Sequence, residues 1–374
     1  MAILILFFLI SSFRQAWATP SSGIYPIPSF KHVLLKKEPN FSGAFREKKK
    51  LLLAAQRALD YLAQLPPGAS FRIAGRSYKA AWLAVSAQEF LDLLKEARSS
   101  KELAGLIRQN FDLFESQGSN GKGRVIFSDY YEPVLPARFK RDPIYRYPLY
   151  RQPTEKKLSA LSREEIDAHQ ALAGKGLEIA WLKDPFDAFD LQVQGSGILR
   201  FPGGVDVLAQ YAATNGLPYR AVGTALVKAG VFKKGEITKD KLRAYLKKHP
   251  KIVNKILDQD PRYVFFKLES FHSGEEPRGT SGEALVPGVS IAVDPAVIPM
   301  GALAYIDTIS PRADAHGHFL GQFKRHSFAF CLDTGGAIKG PGRIDIYVGH
   351  GDVANTVSAN QWSDGKLFIL IKKK

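Results

Sequence analysis

The stretch that decides the fold runs from Phe330 to Gly351: Phe-Cys-Leu-Asp-Thr-Gly-Gly-Ala-Ile-Lys-Gly-Pro-Gly-Arg-Ile-Asp-Ile-Tyr-Val-Gly-His-Gly. Its ends are apolar and its middle is glycine-rich, which predicts two strands, 328–332 and 344–348, joined by a tight crossing. Asp333 and Asp345 stand at the edges of that crossing. Side chains alternate along a strand, so Asp345 points away from the core that takes Ile344 and Ile346. Gly335, Gly336, Gly340, Gly342 and Gly349 let another chain approach the backbone closely. A carboxylate set among so little bulk suits a polymer-binding acid site. On spacing alone, a surface aspartate in an ordinary glycine-rich turn accounts for the pattern equally well.

Outward from this stretch, 374 residues are long for one domain and comfortable for two. With 45% apolar and 24% charged residues the chain has the composition of a globular enzyme with a large core. The formal net charge of +16 favours anionic partners, such as nucleic acid, an acidic membrane surface or a polyanionic wall polymer. No nucleic-acid-binding module is among its motifs. The apolar run 3–10, followed by Ala16-Trp17-Ala18, is too short to span a bilayer and predicts a signal peptide over 1–18. Export from the cytoplasm is therefore expected. The one cysteine, Cys331, falls in a buried strand and excludes an internal disulfide; none sits where a lipid would be attached.

Helical spacing is expected at 48–65, stopped by Pro66-Pro67, and again at 103–110. Ser86 with Glu89 and Ser162 with Glu165 read as capping boxes opening helices. Strands are expected at 125–131, 179–181, 188–193 and 198–201, and helices at 205–211, 220–229, 239–248 and 251–257. Segments 143–153 and 271–287 read as linkers. Short strands at 289–293, 303–306, 319–323, 328–332, 344–348 and 367–371 argue a small barrel at the C-terminal end.

Asp294-Pro295 with Ile298-Pro299, then Asp333-Thr-Gly-Gly-Ala-Ile-Lys-Gly340, then Ile344-Asp345-Ile-Tyr-Val-Gly349, resemble the domain named for its three aspartates. Upstream, Ser128-Asp-Tyr-Tyr-Glu-Pro133, Asp190-Leu-Gln-Val-Gln-Gly-Ser-Gly197, Tyr211-Ala-Ala-Thr-Asn-Gly216 with Tyr219-Arg220, and Tyr263-Val-Phe-Phe-Lys267 follow in order. Together, from about Ser128 to Lys373, they resemble the membrane-bound lytic murein transglycosylase A family. The resemblance implies a mainly β protein with peripheral helices. A double-psi β-barrel would be built from 19–140 and 287–374, a β-rich substrate-binding domain inserted at 141–286, and a groove left between them.

Cutting a β-1,4 glycosidic bond requires a proton on the departing oxygen, hence a carboxylic acid against it. The family's reaction uses the C6 hydroxyl of N-acetylmuramic acid in place of water and leaves 1,6-anhydro ends, so one carboxylate serves as acid and then as base. The resemblance puts that catalytic role on Asp345 and a supporting one on Asp333, with Asp294 completing the set. It implies substrate contacts from Ser128, Tyr130, Gln194, Gly195, Ser196, Gly197, Lys339 and Tyr347, with Lys339 placed for a lactyl or stem-peptide carboxylate or for Asp345. Ser128-Asp129 departs from the family's usual Thr-Gly, and the missing lipid-site cysteine departs from its lipid-anchored members. No cofactor is implied, and His316, His318, His326 and His350 lack metal-ligand spacing. Peptidoglycan strands are the expected partner and wall-synthesis proteins candidate ones, for a monomer in the periplasm or at the outer membrane. Two other readings stay open, a non-catalytic wall-binding module and a hydrolase of the lysozyme kind.

Overall fold

The computed structural model describes residues 30–33, 41, 46–233, 236–272 and 274–374; the expected signal peptide lies outside them. Six strands close on themselves: Val125–Glu132, Arg343–His350, Ser290–Ala292, Phe319–Asp333, Leu303–Ala313 and Trp362–Lys372 pair in that order, and the last returns to the first. Two of these junctions are parallel, Val125–Glu132 with Arg343–His350 and Ser290–Ala292 with Phe319–Asp333. Closure leaves the ring without an unpaired edge. The barrel thus joins one strand from the first part of the chain to five from its end.

Alternation sorts the barrel residues into two cores. Phe127, Ala304, Ile306, Ala329, Cys331, Ile344, Ile346, Leu367 and Ile369 pack inside the ring. Their strand neighbours Leu303, Tyr305, Phe328, Phe330, Phe368 and Leu370 face outward under two helices, Lys48–Ala63 and Ala80–Glu96. The first helix buries Leu51, Ala54, Ala55, Ala58 and Leu62, one stripe at helical spacing. Each fully buried Leu or Phe here contributes about 1.5–3 kcal/mol relative to exposure.

The second sheet has six strands in the order Val264–Ser270, Val205–Thr214, Gly197–Phe201, Val134–Arg138, Glu178–Leu182, Tyr147–Tyr150. Since Val134–Arg138 pairs with Gly197–Phe201 and Glu178–Leu182, the chain crosses between sheets at Pro133, ahead of the boundary expected at 141.

Several local expectations are corrected. Segment 188–193 is helical, within Pro185–Gln194, because Asp184 caps Phe186 N–H at 2.9 Å, Pro185 opens the first turn and Gly195 closes the last at φ 93°. Segment 205–211 lies in a strand; Gly203 and Gly204, both at positive φ, turn it back on Gly197–Phe201, and Arg200 pairs with Asp206 across the hairpin at 2.8 Å. Ser86 and Glu89 do not open a helix. They sit inside Ala80–Glu96 and hold the C-terminal strand: Ser86 Oγ accepts from Lys372 N–H at 2.9 Å and Glu89 pairs with the Lys372 ammonium. Ser162 and Glu165 do form the reciprocal box, on a five-residue π-turn, Glu164–Ala168. Segments 319–323 and 328–332 are one strand, and 143–153 contains the strand Tyr147–Tyr150.

Candidate active site

Strand register assembles the site. Asp345 lies opposite Ser128 on one side and Ala292 on the other; Ala292 in turn lies opposite Asp333, and Ser128 opposite Trp362. Directly paired residues project to the same side of a sheet, so both aspartates, Ser128 and Trp362 share one outer face of the barrel. Asp345 faces away from Ile344 and Ile346, as alternation requires.

The Ser128 hydroxyl is hydrogen-bonded to Asp345 Oδ1, and Arg343 Nη2 donates to Ser128 Oγ at 2.6 Å. Burial pushes the Asp345 carboxyl above its ordinary value; Arg343 and the Ser128 hydroxyl pull it partly back, and the Asp333 charge adds to the rise. Asp333 is held from two sides. Tyr130 donates its hydroxyl to Oδ2 at 2.7 Å, and Thr280 donates N–H and Oγ1–H to Oδ1 at 2.8 and 2.9 Å. Burial raises this carboxyl too, against the lowering effect of those donors. The pair therefore consists of two half-buried acids, one reached by a serine–arginine relay and the other fixed by three donors.

Other expected site residues have different duties. Asp294 is buried, and its carboxylate accepts from Gly340 N–H at 2.7 Å and Ala296 N–H at 3.1 Å; it pins the crossing between the two aspartates. Tyr347 is fully buried and donates to Glu276 at 2.5 Å, so a sugar contact there is corrected to a core contact. Gln194 ties its helix to the barrel strand Val125–Glu132: its Oε1 accepts from Tyr131 N–H, and its Nε2 donates to Asp190 one turn back, both at 3.2 Å. Gly197 is buried, and a Cβ there would fall 2.4 Å from Leu191 and 2.9 Å from the Pro133 carbonyl, so close packing explains this glycine. Gly195 and Ser196 are half-buried, and Lys339 is exposed on the crossing.

Sequence reasoning missed what the return segment does. Thr280 on Asp333 and Glu276 on Tyr347 both come from 271–287, expected as a linker. The Arg262 guanidinium lies so close to Gly336 that a Cβ there would fall 1.5 Å from it; this ties the second sheet's chain to the crossing, at a position where sequence reasoning expects a neutral change. Asp129 points with Phe127 away from the Ser128 face, and is buried with neither carboxylate oxygen hydrogen-bonded. Glu132, on the Ser128 and Tyr130 side of its strand, is likewise buried. The signal available for both was an acid on each face of a strand otherwise rich in aromatic residues, Ser128-Asp-Tyr-Tyr-Glu132.

The MltA specific insert domain matches residues 126–267 and the 3D domain matches 289–370. Membrane-bound lytic murein transglycosylase A of Escherichia coli (strain K12) is 34% identical over 275 residues, 73% of each chain. Its namesake in Vibrio cholerae is 31% identical over 68% of this chain and 67% of that one. The crystal structure of E. coli MltA with bound chitohexaose superposes with a TM-score of 0.73 at 27% identity, covering 92% of this chain and 95% of that one. A membrane-bound lytic murein transglycosylase from Agrobacterium tumefaciens gives 0.73 at 25% identity over 92% and 98%. The barrel, the inserted β domain and these relatives together make the protein a peptidoglycan lytic transglycosylase. The chain belongs to the membrane-bound lytic murein transglycosylase A family. Among the described residues no helix is long and apolar enough to cross a membrane.

Proposed function

We propose that the protein cleaves the β-1,4 bond between N-acetylmuramic acid and N-acetylglucosamine in peptidoglycan without water, with Asp345 as acid and then base. Protonated Asp345 gives its proton to the departing glycosidic oxygen as the bond from muramic C1 breaks. The C6 hydroxyl of the same muramic residue then bonds to C1, and its proton returns to Asp345. Atoms balance, and the carboxyl is regenerated. The observation that carries this reading is the half-buried carboxyl of Asp345, aimed by the Ser128 hydroxyl and raised by burial toward the protonated form. Asp333, fixed by Tyr130 and Thr280, keeps a second negative charge near enough to favour that protonated form. Such work places the protein at the cell wall, outside the inner membrane.

Mass analysis of muropeptides released from sacculi tests the reading directly. Anhydro-muramoyl ends are expected. Reducing ends mean a hydrolase of the lysozyme kind, and no release from a protein that still binds sacculi means a wall-binding module; either result overturns the proposal.

A further inference from the structure

Trp362 is 68% exposed, more than any other large apolar side chain among the described residues. An indole left in water forgoes the gain that burial would bring, so its surroundings matter. It opens the strand Trp362–Lys372 directly opposite Ser128, the residue bonded to Asp345. The Arg343 guanidinium lies 4.6 Å from the centre of its ring and also donates to Ser128. One face of the indole is therefore held by a cation, and the exposure is that of a ring whose other face is open. The arrangement ties an open aromatic face to the acid through two residues.

We propose that Trp362 is a stacking platform for a pyranose ring of the glycan strand, at the subsite beside the bond that Asp345 attacks. A β-1,4-linked gluco-configured sugar carries its hydroxyls on the rim and presents C–H groups on its faces. Those slightly positive hydrogens match the negative face of an aromatic ring. Arg343 orients the indole from behind and leaves its free face to the sugar. Sugars whose axial hydroxyls break the C–H face are selected against. The inference rests on the proposed reading of Asp345 and names one contact of that groove.

The test is binding of an N-acetylglucosamine hexamer to the Asp345→Asn protein, which holds the probe uncleaved, followed by calorimetry and by tryptophan emission. Adding Trp362→Ala is expected to weaken binding about 10-fold. It should also abolish the emission change, although three of the chain's 4 tryptophans remain. Trp362→Phe should recover most of the affinity. An unchanged Kd in Trp362→Ala, or an emission change that survives it, overturns the platform. A hexamer that does not bind the Asp345→Asn protein overturns it too. Muropeptides lacking anhydro ends would instead overturn the reading of Asp345 and leave the binding result standing.

Discussion

Ser128 and Asp345 face each other in register on adjacent parallel strands, with the serine hydroxyl on the aspartate's carboxylate. Arg343, two residues before Asp345 on the same side of its strand, donates to that same hydroxyl. Side-chain rotation of the acid is thereby restricted from both strands, as proton delivery to a single glycosidic oxygen requires.

Asp345→Asn is expected to fold normally and to lose turnover of sacculi by about 100-fold or more, because an amide cannot donate the required proton. Turnover is read from soluble muropeptide release, and folding from circular dichroism. A variant keeping above about a tenth of wild-type rate contradicts the assignment.

Ser128→Ala removes a hydrogen bond that lowers the Asp345 carboxyl. The acid must be protonated to act, so activity falls as pH rises through its value, and a higher value carries that limb upward. The alkaline limb of kcat/KM should move to higher pH in the variant, with a lower maximum from looser aim. A limb that stays or moves down shows that the serine does not tune Asp345.

Glu132 gives a stability prediction with a defined sign. Burial pushes it up to about 7, with Glu276 adding to the rise; His350 and the nearby Ser196 hydroxyl, outside bonding geometry, pull it back only in part. The folded chain keeps a proton that the unfolded chain releases above about pH 4.5, so stability falls between that pH and about 7. The full loss is roughly 3 kcal/mol. His350, raised mainly by its contact with Glu276 and in smaller part by the Glu132 charge, loses its own contribution in the same direction as pH rises. Glu132→Gln should therefore raise Tm at pH 8 and change it little at pH 4. Equal shifts at both pH values would sink the assignment.

The net charge of +16 is expected to act on wall association. Peptidoglycan carries carboxylates, and salt screens attraction between exposed charges beyond about 8–10 Å. Raising salt should weaken pelleting with sacculi while leaving turnover of a short soluble muropeptide nearly constant. A parallel fall in both would move the charge effect into the groove, with Lys339 and Arg343 the first residues to substitute.

The linear order of residues determined which face Asp345 takes, because alternation along Ile344-Asp345-Ile346 needs only local backbone geometry. It also carried the family motifs, the barrel strands near the C-terminus and the helix over Lys48–Ala63. Short segments such as 188–193 and 205–211 were misread because a few apolar residues fit either period; capping by Asp184 and a two-glycine turn settled them. Tertiary structure alone decided what meets the aspartates. Ser128 is 217 positions from Asp345, and Thr280 is 53 from Asp333. Such contacts depend on register across parallel strands and on ring closure, both set by long-range pairing and packing. The same closure buried Tyr347, exposed Trp362 and turned Asp294 into the anchor of the crossing.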